Sequence, residues 1–136
     1  MSLVVDCSIA MTWCFEDEAT PATEAILDRV CNEGAVVPAL WHLEVGNVLI
    51  QAERRGRIAW AEALRRLSLI ERLPIEIDPH RPGDGLAVAD LARAEGLTAY
   101  DGAYLHLALG RGLMLATLDK ALAAAARRRG IGLLPA

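Results

Sequence analysis

Long apolar runs, paired cysteines and lysine are what this sequence has least of. No uninterrupted apolar stretch approaches the roughly 18 residues that a membrane span requires, which argues for a soluble protein with no membrane partner. The opening MSLVVDC lacks a basic segment leading into a signal-peptide core, so a cytoplasmic setting is expected. Cysteine is scarce and odd in number: Cys7, Cys14 and Cys31 contain no C-x-x-C pair. That count argues against a disulfide framework and a zinc site, and leaves reduced, buried thiols. Lysine is nearly missing, because thirteen of the fourteen basic residues are arginine. The planar arginine fork matches phosphate and carboxylate, so these side chains suit either RNA or an acidic protein partner.

What is present describes a globular chain. At 136 residues, with 54% apolar and 24% charged side chains, residues 1–136 are expected to form a single domain around one core. The formal charge of −4 is the wrong sign for approaching nucleic acid, but it is unevenly spread. From Asp6 through Glu44 there are eight acids and one base, Arg29, whereas Arg54, Arg55, Arg57, Arg65, Arg66, Arg127, Arg128 and Arg129 form basic clusters.

Short apolar runs at 3–6, 35–38, 75–78, 113–117 and 131–134 read as strands. Helical patterns lie between them at about 8–15, 21–32, 39–55, 58–72, 84–95, 99–110 and 119–129, several closed by glycine (Gly34, Gly56, Gly96, Gly130). Alternating strand and helix, with strands apolar on both faces, predicts an α/β fold of three layers: a short central parallel sheet with helices on either side. Ligands in such folds bind beyond the carboxyl ends of the strands, near the point where strand order reverses. Asp6 and Asp119 fall there, on the same edge if their strands are neighbours.

Each acid has an ordinary explanation beside a functional one. Asp6 or Ser8 would cap the helix starting near 8, Thr98 and Asp101 resemble a capping box, and Asp119 would cap the helix from 120. Glu44 sits two turns into a helix whose apolar stripe runs Trp41, Val45, Val48, Ala52, with Asn47 one turn after it, on a face turned to a cleft or to solvent. Carboxylates are hard oxygen ligands suited to Mg²⁺ or Mn²⁺, and magnesium takes only one or two from a protein while keeping waters and phosphate oxygens. Four carboxylates can therefore serve two ions, and in-line phosphodiester hydrolysis then needs no nucleophilic side chain. Ser8, Asn47 and Thr117 fit supporting roles around them.

VVDCSIAMTW at 4–13, VPALWHLEVGNVL at 37–49, LTAYDGAYLHLAL at 97–109 and LATLDKAL at 115–122 resemble, in order and spacing, the PIN-domain nucleases, and among them the VapC-type toxins of toxin–antitoxin pairs. The resemblance implies a PIN-like fold with Asp6, Glu44, Asp101 and Asp119 as the catalytic, metal-holding acids. It also implies Mg²⁺- or Mn²⁺-dependent RNA cleavage, a homodimer and neutralisation by a cognate antitoxin. Cys7 and Gly102 depart mildly from the family pattern, and Gly102 is expected to loosen the first helical turn beneath a ligand.

Other readings fit less well. A haloacid-dehalogenase-like start needs a second Asp where Ser8 stands. No G-x-G-x-x-G follows the first strand, and His42 with Glu44 lacks the P-C-x-x-C of zinc deaminases. His42 reads as a satisfied surface or cleft histidine, and His80 and His106 draw no functional reading. The runner-up of a different class is a PIN fold that grips RNA or a partner protein without cutting. The helix at 58–72 carries Ile58, Trp60, Ala61, Leu64, Leu67 and Leu69 over a wide arc, which suggests dimerisation there.

Overall fold

Five short strands, β1 (Leu3–Val5), β2 (Ala35–Pro38), β3 (Ile75–Asp78), β4 (Leu115–Ala116) and β5 (Leu133–Leu134), build one parallel sheet in the order β3-β2-β1-β4-β5 in the computed structural model. It describes residues 2–136. The helices are α1 (Cys7–Cys14), α2 (Pro21–Glu33), α3 (Leu40–Arg54), α4 (Trp60–Glu71), α5 (Asp84–Glu95), α6 (Ala99–Arg111) and α7 (Lys120–Arg128). Leu3, Val4 and Val5 are completely buried, as a central parallel strand covered on both faces must be. Val4 lies opposite Val36 of β2 on one side and Leu115 of β4 on the other.

The chain steps outward from β1 to β2 to β3, then returns to the far side of β1 for β4 and β5. Right-handed crossovers therefore place α1–α4 on one face and α5–α7 on the other. The packing agrees: α1 meets α2 and α3, and α3 meets α4, whereas α6 meets α5 and α7. This is the three-layer α/β/α arrangement expected from the alternating pattern. Strand order reverses between β1 and β4, so a crevice opens beyond their carboxyl ends.

Three sequence expectations need correction. The strands expected at 3–6, 113–117 and 131–134 are shorter, and the first ends at Val5 because Asp6 turns out to cap α1, its carboxylate accepting from the Ile9 N–H at 3.2 Å. β3 is not apolar on both faces: as an edge strand it leaves Ile77 48% exposed. Gly102 does not loosen its helix. It is buried, and a Cβ there would stand 2.7 Å from the Ala92 Cβ and 3.2 Å from the Val88 carbonyl oxygen. The missing side chain is what lets α5 and α6 approach.

In α4, Ala63 and Ile70 face the core and Leu67 packs against it, while Trp60, Leu64 and Leu69 remain 44–49% exposed. The arginine clusters are mixed in character. Arg57 pairs with Asp17 and Glu18 and stacks over Phe15, Arg65 and Arg66 share Glu62, and Arg128 and Arg129 share Glu95. No described helix is long and apolar enough to cross a membrane.

Candidate metal centre

Asp6 follows β1 directly and is only 4% exposed. Two hydroxyls hold it: Ser8 donates to Oδ1 and Thr117 to Oδ2, each at 2.5 Å. Each hydroxyl oxygen in turn accepts a backbone N–H from the turn after β4, Ser8 from Leu118 at 2.9 Å and Thr117 from Asp119 at 3.0 Å. A backbone N–H can only donate, so the hydroxyl protons are directed toward Asp6, which accepts from both sides. This relay spans the β1–β4 seam and fixes both strand ends.

Asp119 is the N-cap of α7, accepting from the Leu122 N–H at 2.8 Å. Asp101 lies in the first turn of α6, whose N-cap Thr98 accepts the Asp101 N–H at 3.1 Å. Capping and clustering thus coexist, since the turns that cap α1 and α7 and open α6 also deliver Asp6, Asp119 and Asp101. Helix N-termini carry partial positive charge, which favours acids placed there. Glu44 comes from the opposite helical layer. Its carboxylate accepts the hydroxyl of Tyr104, an α6 residue that is 1% exposed, and this bond ties α3 to α6. Sequence reading missed Tyr104; the available signal was its place one turn after Asp101 on the same face.

The electrostatics describe a site short of positive charge. Burial pushes the Asp6 carboxyl above its ordinary range, and the hydroxyls and the Ile9 N–H offset this only in part, with Asp101 adding repulsion. Glu44 is raised by burial and then by Asp101 and Asp6, against the pull of Tyr104. Asp101 is raised by burial and by Asp119. No arginine or lysine is among the groups acting on these three acids. Cys7 is pushed up to about 12 by burial, Glu44 and Asp6, so it is a protonated thiol and not a nucleophile at neutral pH. Among the described residues no three His, Cys, Asp or Glu side chains form a ready-made cage for an ion. Asn47 is exposed, and among the described residues no hydrogen bond links it to the acids. His42, expected to be satisfied, has a buried Nδ1 without a partner and an edge-on contact with the Trp41 ring at 4.9 Å.

Comparison with known proteins assigns the fold to a family. The PIN domain profile matches residues 3–128. The chain belongs to the PIN-domain family. Over 90 residues it is 39% identical to "Exonuclease VapC9" of Pyrobaculum aerophilum, an alignment covering 63% of this chain and 65% of that protein. The chain thus spans just under two thirds of the length of that curated relative. The crystal structure of PAE2754 from the same organism superposes with a TM-score of 0.76 at 27% identity, over 98% of this PIN domain and 84% of that chain. The crystal structure of FitAcB from Neisseria gonorrhoeae shares the fold, with a TM-score of 0.54 at 18% identity, over 96% and 95% of the two chains.

Proposed function

We propose that this PIN domain is an endoribonuclease that hydrolyses RNA phosphodiester bonds with Mg²⁺, for which Mn²⁺ substitutes, and that it is the toxin of a type II toxin–antitoxin module. The observation that supports this most is the row of mutually repelling acids, Asp6, Glu44, Asp101 and Asp119, three of them with raised carboxyls and with no cation among the groups that act on them. Hard oxygen donors lacking positive charge fit a divalent ion, and magnesium needs only one or two of them directly, the rest acting through waters. A bound divalent cation supplies the charge that makes a water acidic enough to attack and that offsets the leaving oxygen. The chain's own residues do the positioning: Ser8 and Thr117 fix the Asp6 carboxylate, and Tyr104 aims Glu44 at the same crevice. If the four acids hold two divalent ions, their formal charge of −4 is offset by +4 and the repulsion of RNA falls away.

The test is single-turnover RNA cleavage with Mg²⁺ and Mn²⁺, with RNA retention measured in parallel. Asp6→Asn, Glu44→Gln, Asp101→Asn and Asp119→Asn are each expected to cut at least about 10²-fold more slowly while losing less binding. Metal-dependent cleavage that survives in all four variants would remove the quartet from the active site. RNA retention without cleavage by wild-type protein would favour a non-cleaving binding module. The Pyrobaculum relative is named an exonuclease, so a circular RNA belongs in the assay: its cleavage marks endonucleolytic attack. The antitoxin is sought in the neighbouring reading frame.

A further inference from the structure

The same edge of the sheet carries a second concavity, of about 230 Å³, beyond the ends of β2 and β3. Its place relative to the acids is set by helix geometry. Leu40, on its wall, precedes Glu44 by one turn of α3, and Ala103 and Leu107 flank Tyr104 on α6. Both helices thus lead from the Glu44–Tyr104 bond into this cavity over one turn, about 5.4 Å. The cavity therefore adjoins the Glu44 side of the acid cluster, where a strand lying across the acids presents a neighbouring nucleotide.

The lining decides what enters. Pro38, Pro79, Leu40 and Leu107 supply apolar walls, and the His80 and His106 rings add flat surfaces. The carboxylates present, Asp78 and Asp84, repel a phosphate. Asp78 is already held by Arg81 and Arg111 at 2.5–2.9 Å. Asp84 is less committed: one oxygen accepts the Arg81 N–H at 2.8 Å, and the other lies 3.6 Å from His106 Nε2. Each carboxylate oxygen therefore keeps acceptor capacity. A cavity below the roughly 300–1,000 Å³ of drug-sized sites, with flat apolar walls and an acidic acceptor, matches one uncharged heterocycle bearing N–H donors.

We propose that this cavity receives the nucleobase flanking the cleaved phosphodiester, with Asp84 accepting from an exocyclic amino group, so that guanine, adenine or cytosine is preferred there over uracil. The assignment of the ligand as RNA rests on the nuclease reading above. Splayed single-stranded bases read along their hydrogen-bonding edge, with carboxylates accepting from amino groups, are an established mode of recognition.

Two measurements separate this proposal from the nuclease reading. In the first, the trinucleotides UGU, UAU, UCU and UUU are titrated into Mg²⁺-loaded Asp119→Asn protein, which cuts slowly but retains RNA, while the ring C–H signals of His80 and His106 are followed by NMR. Shifts with the three amino-bearing oligonucleotides, weak or absent with UUU, are expected. In the second, single-turnover cleavage with Mn²⁺ compares RNAs differing only at the base beside the cut, with an expected preference of about tenfold over uracil. Asp84→Asn is expected to collapse that ratio. Ala103→Leu, which fills the cavity without changing charge, is expected to abolish the histidine shifts. Normal cleavage with no base preference and no histidine shifts overturns the base site and leaves the nuclease standing. Histidine shifts that follow the amino group, in a protein that never cleaves, support the cavity and sink the nuclease. Silence in both overturns both.

Discussion

Thr117 reaches across 111 residues of sequence to donate its hydroxyl to Asp6 at 2.5 Å, and takes the Asp119 N–H at 3.0 Å in return. One side chain thereby sets the position of two of the four acids. Thr117→Val keeps the shape and removes the relay, leaving a buried carboxylate oxygen and a backbone N–H without this partner. A loss of about 1–3 kcal/mol is expected, read by urea unfolding, together with weaker Mn²⁺ binding by calorimetry. Unchanged stability and unchanged metal affinity would mean that the relay does not hold the site.

Tyr104→Phe tests the other clamp. Without the hydroxyl, Glu44 can turn to solvent, at a stability cost of about 1–2 kcal/mol. Because Tyr104 acts through Glu44, the expected signature is a weaker Mn²⁺ affinity, with cleavage partly rescued by raising the metal concentration. A loss of activity that no concentration of Mn²⁺ restores would point to a different role.

Metal-free protein should respond to pH in a particular direction. Asp6, Glu44 and Asp101 have carboxyls raised in the fold, so folded protein binds protons more tightly than unfolded protein does. Their contribution is fully present below the ordinary carboxylate values of 3.8–4.5 and is lost as pH rises through the raised ones. Surface acids such as Glu62, held down to about 2 by Arg65 and Arg66, act oppositely, losing their contribution as pH falls. In EDTA, Tm is expected to climb as pH drops from 8 toward 5, more steeply for wild type than for Asp6→Asn. Millimolar Mn²⁺ at fixed ionic strength should raise Tm most at the alkaline end. A flat metal-free profile with no Mn²⁺ shift would count heavily against the centre.

Gly102→Ala, a single added methyl, should be costly because its Cβ would meet the Ala92 Cβ at 2.7 Å. Overpacking of this kind costs about 1–3 kcal/mol. Thermal unfolding of this variant, with Gly102→Ala/Ala92→Gly as the compensating double, checks the contact: the double should recover most of the loss.

The exposed side chains Trp60, Leu64 and Leu69 on α4 suit a homodimer. Light scattering at micromolar concentration is expected to give twice the chain mass, and Leu64→Glu to reduce it to the monomer. A wild-type monomer rules the dimer out.

The alternation of apolar runs with amphipathic stretches was enough to determine a parallel α/β fold, because strand and helix periods are local properties of the chain. Asp6, Glu44, Asp101 and Asp119 were singled out as a set by the resemblance of four ordered segments to the PIN-domain family, since each alone read equally well as a helix cap or a solvated carboxylate. Strand order was not legible, since nothing local in β4 says that it pairs with β1 rather than β3. Only that pairing brings Thr117 onto Asp6. Tyr104 drew no reading from the sequence, because its role exists only where α3 meets α6, and Gly102 read as a weak point until α5 was laid against it. Arginine clusters that looked free in sequence found Glu62 and Glu95 through helix spacing and tertiary approach. Local pattern along the chain set which strands and helices form. Which side chains face one another was settled by the fold, because contacts between distant residues follow from the packing of whole helices on a sheet rather than from the neighbours of any one residue.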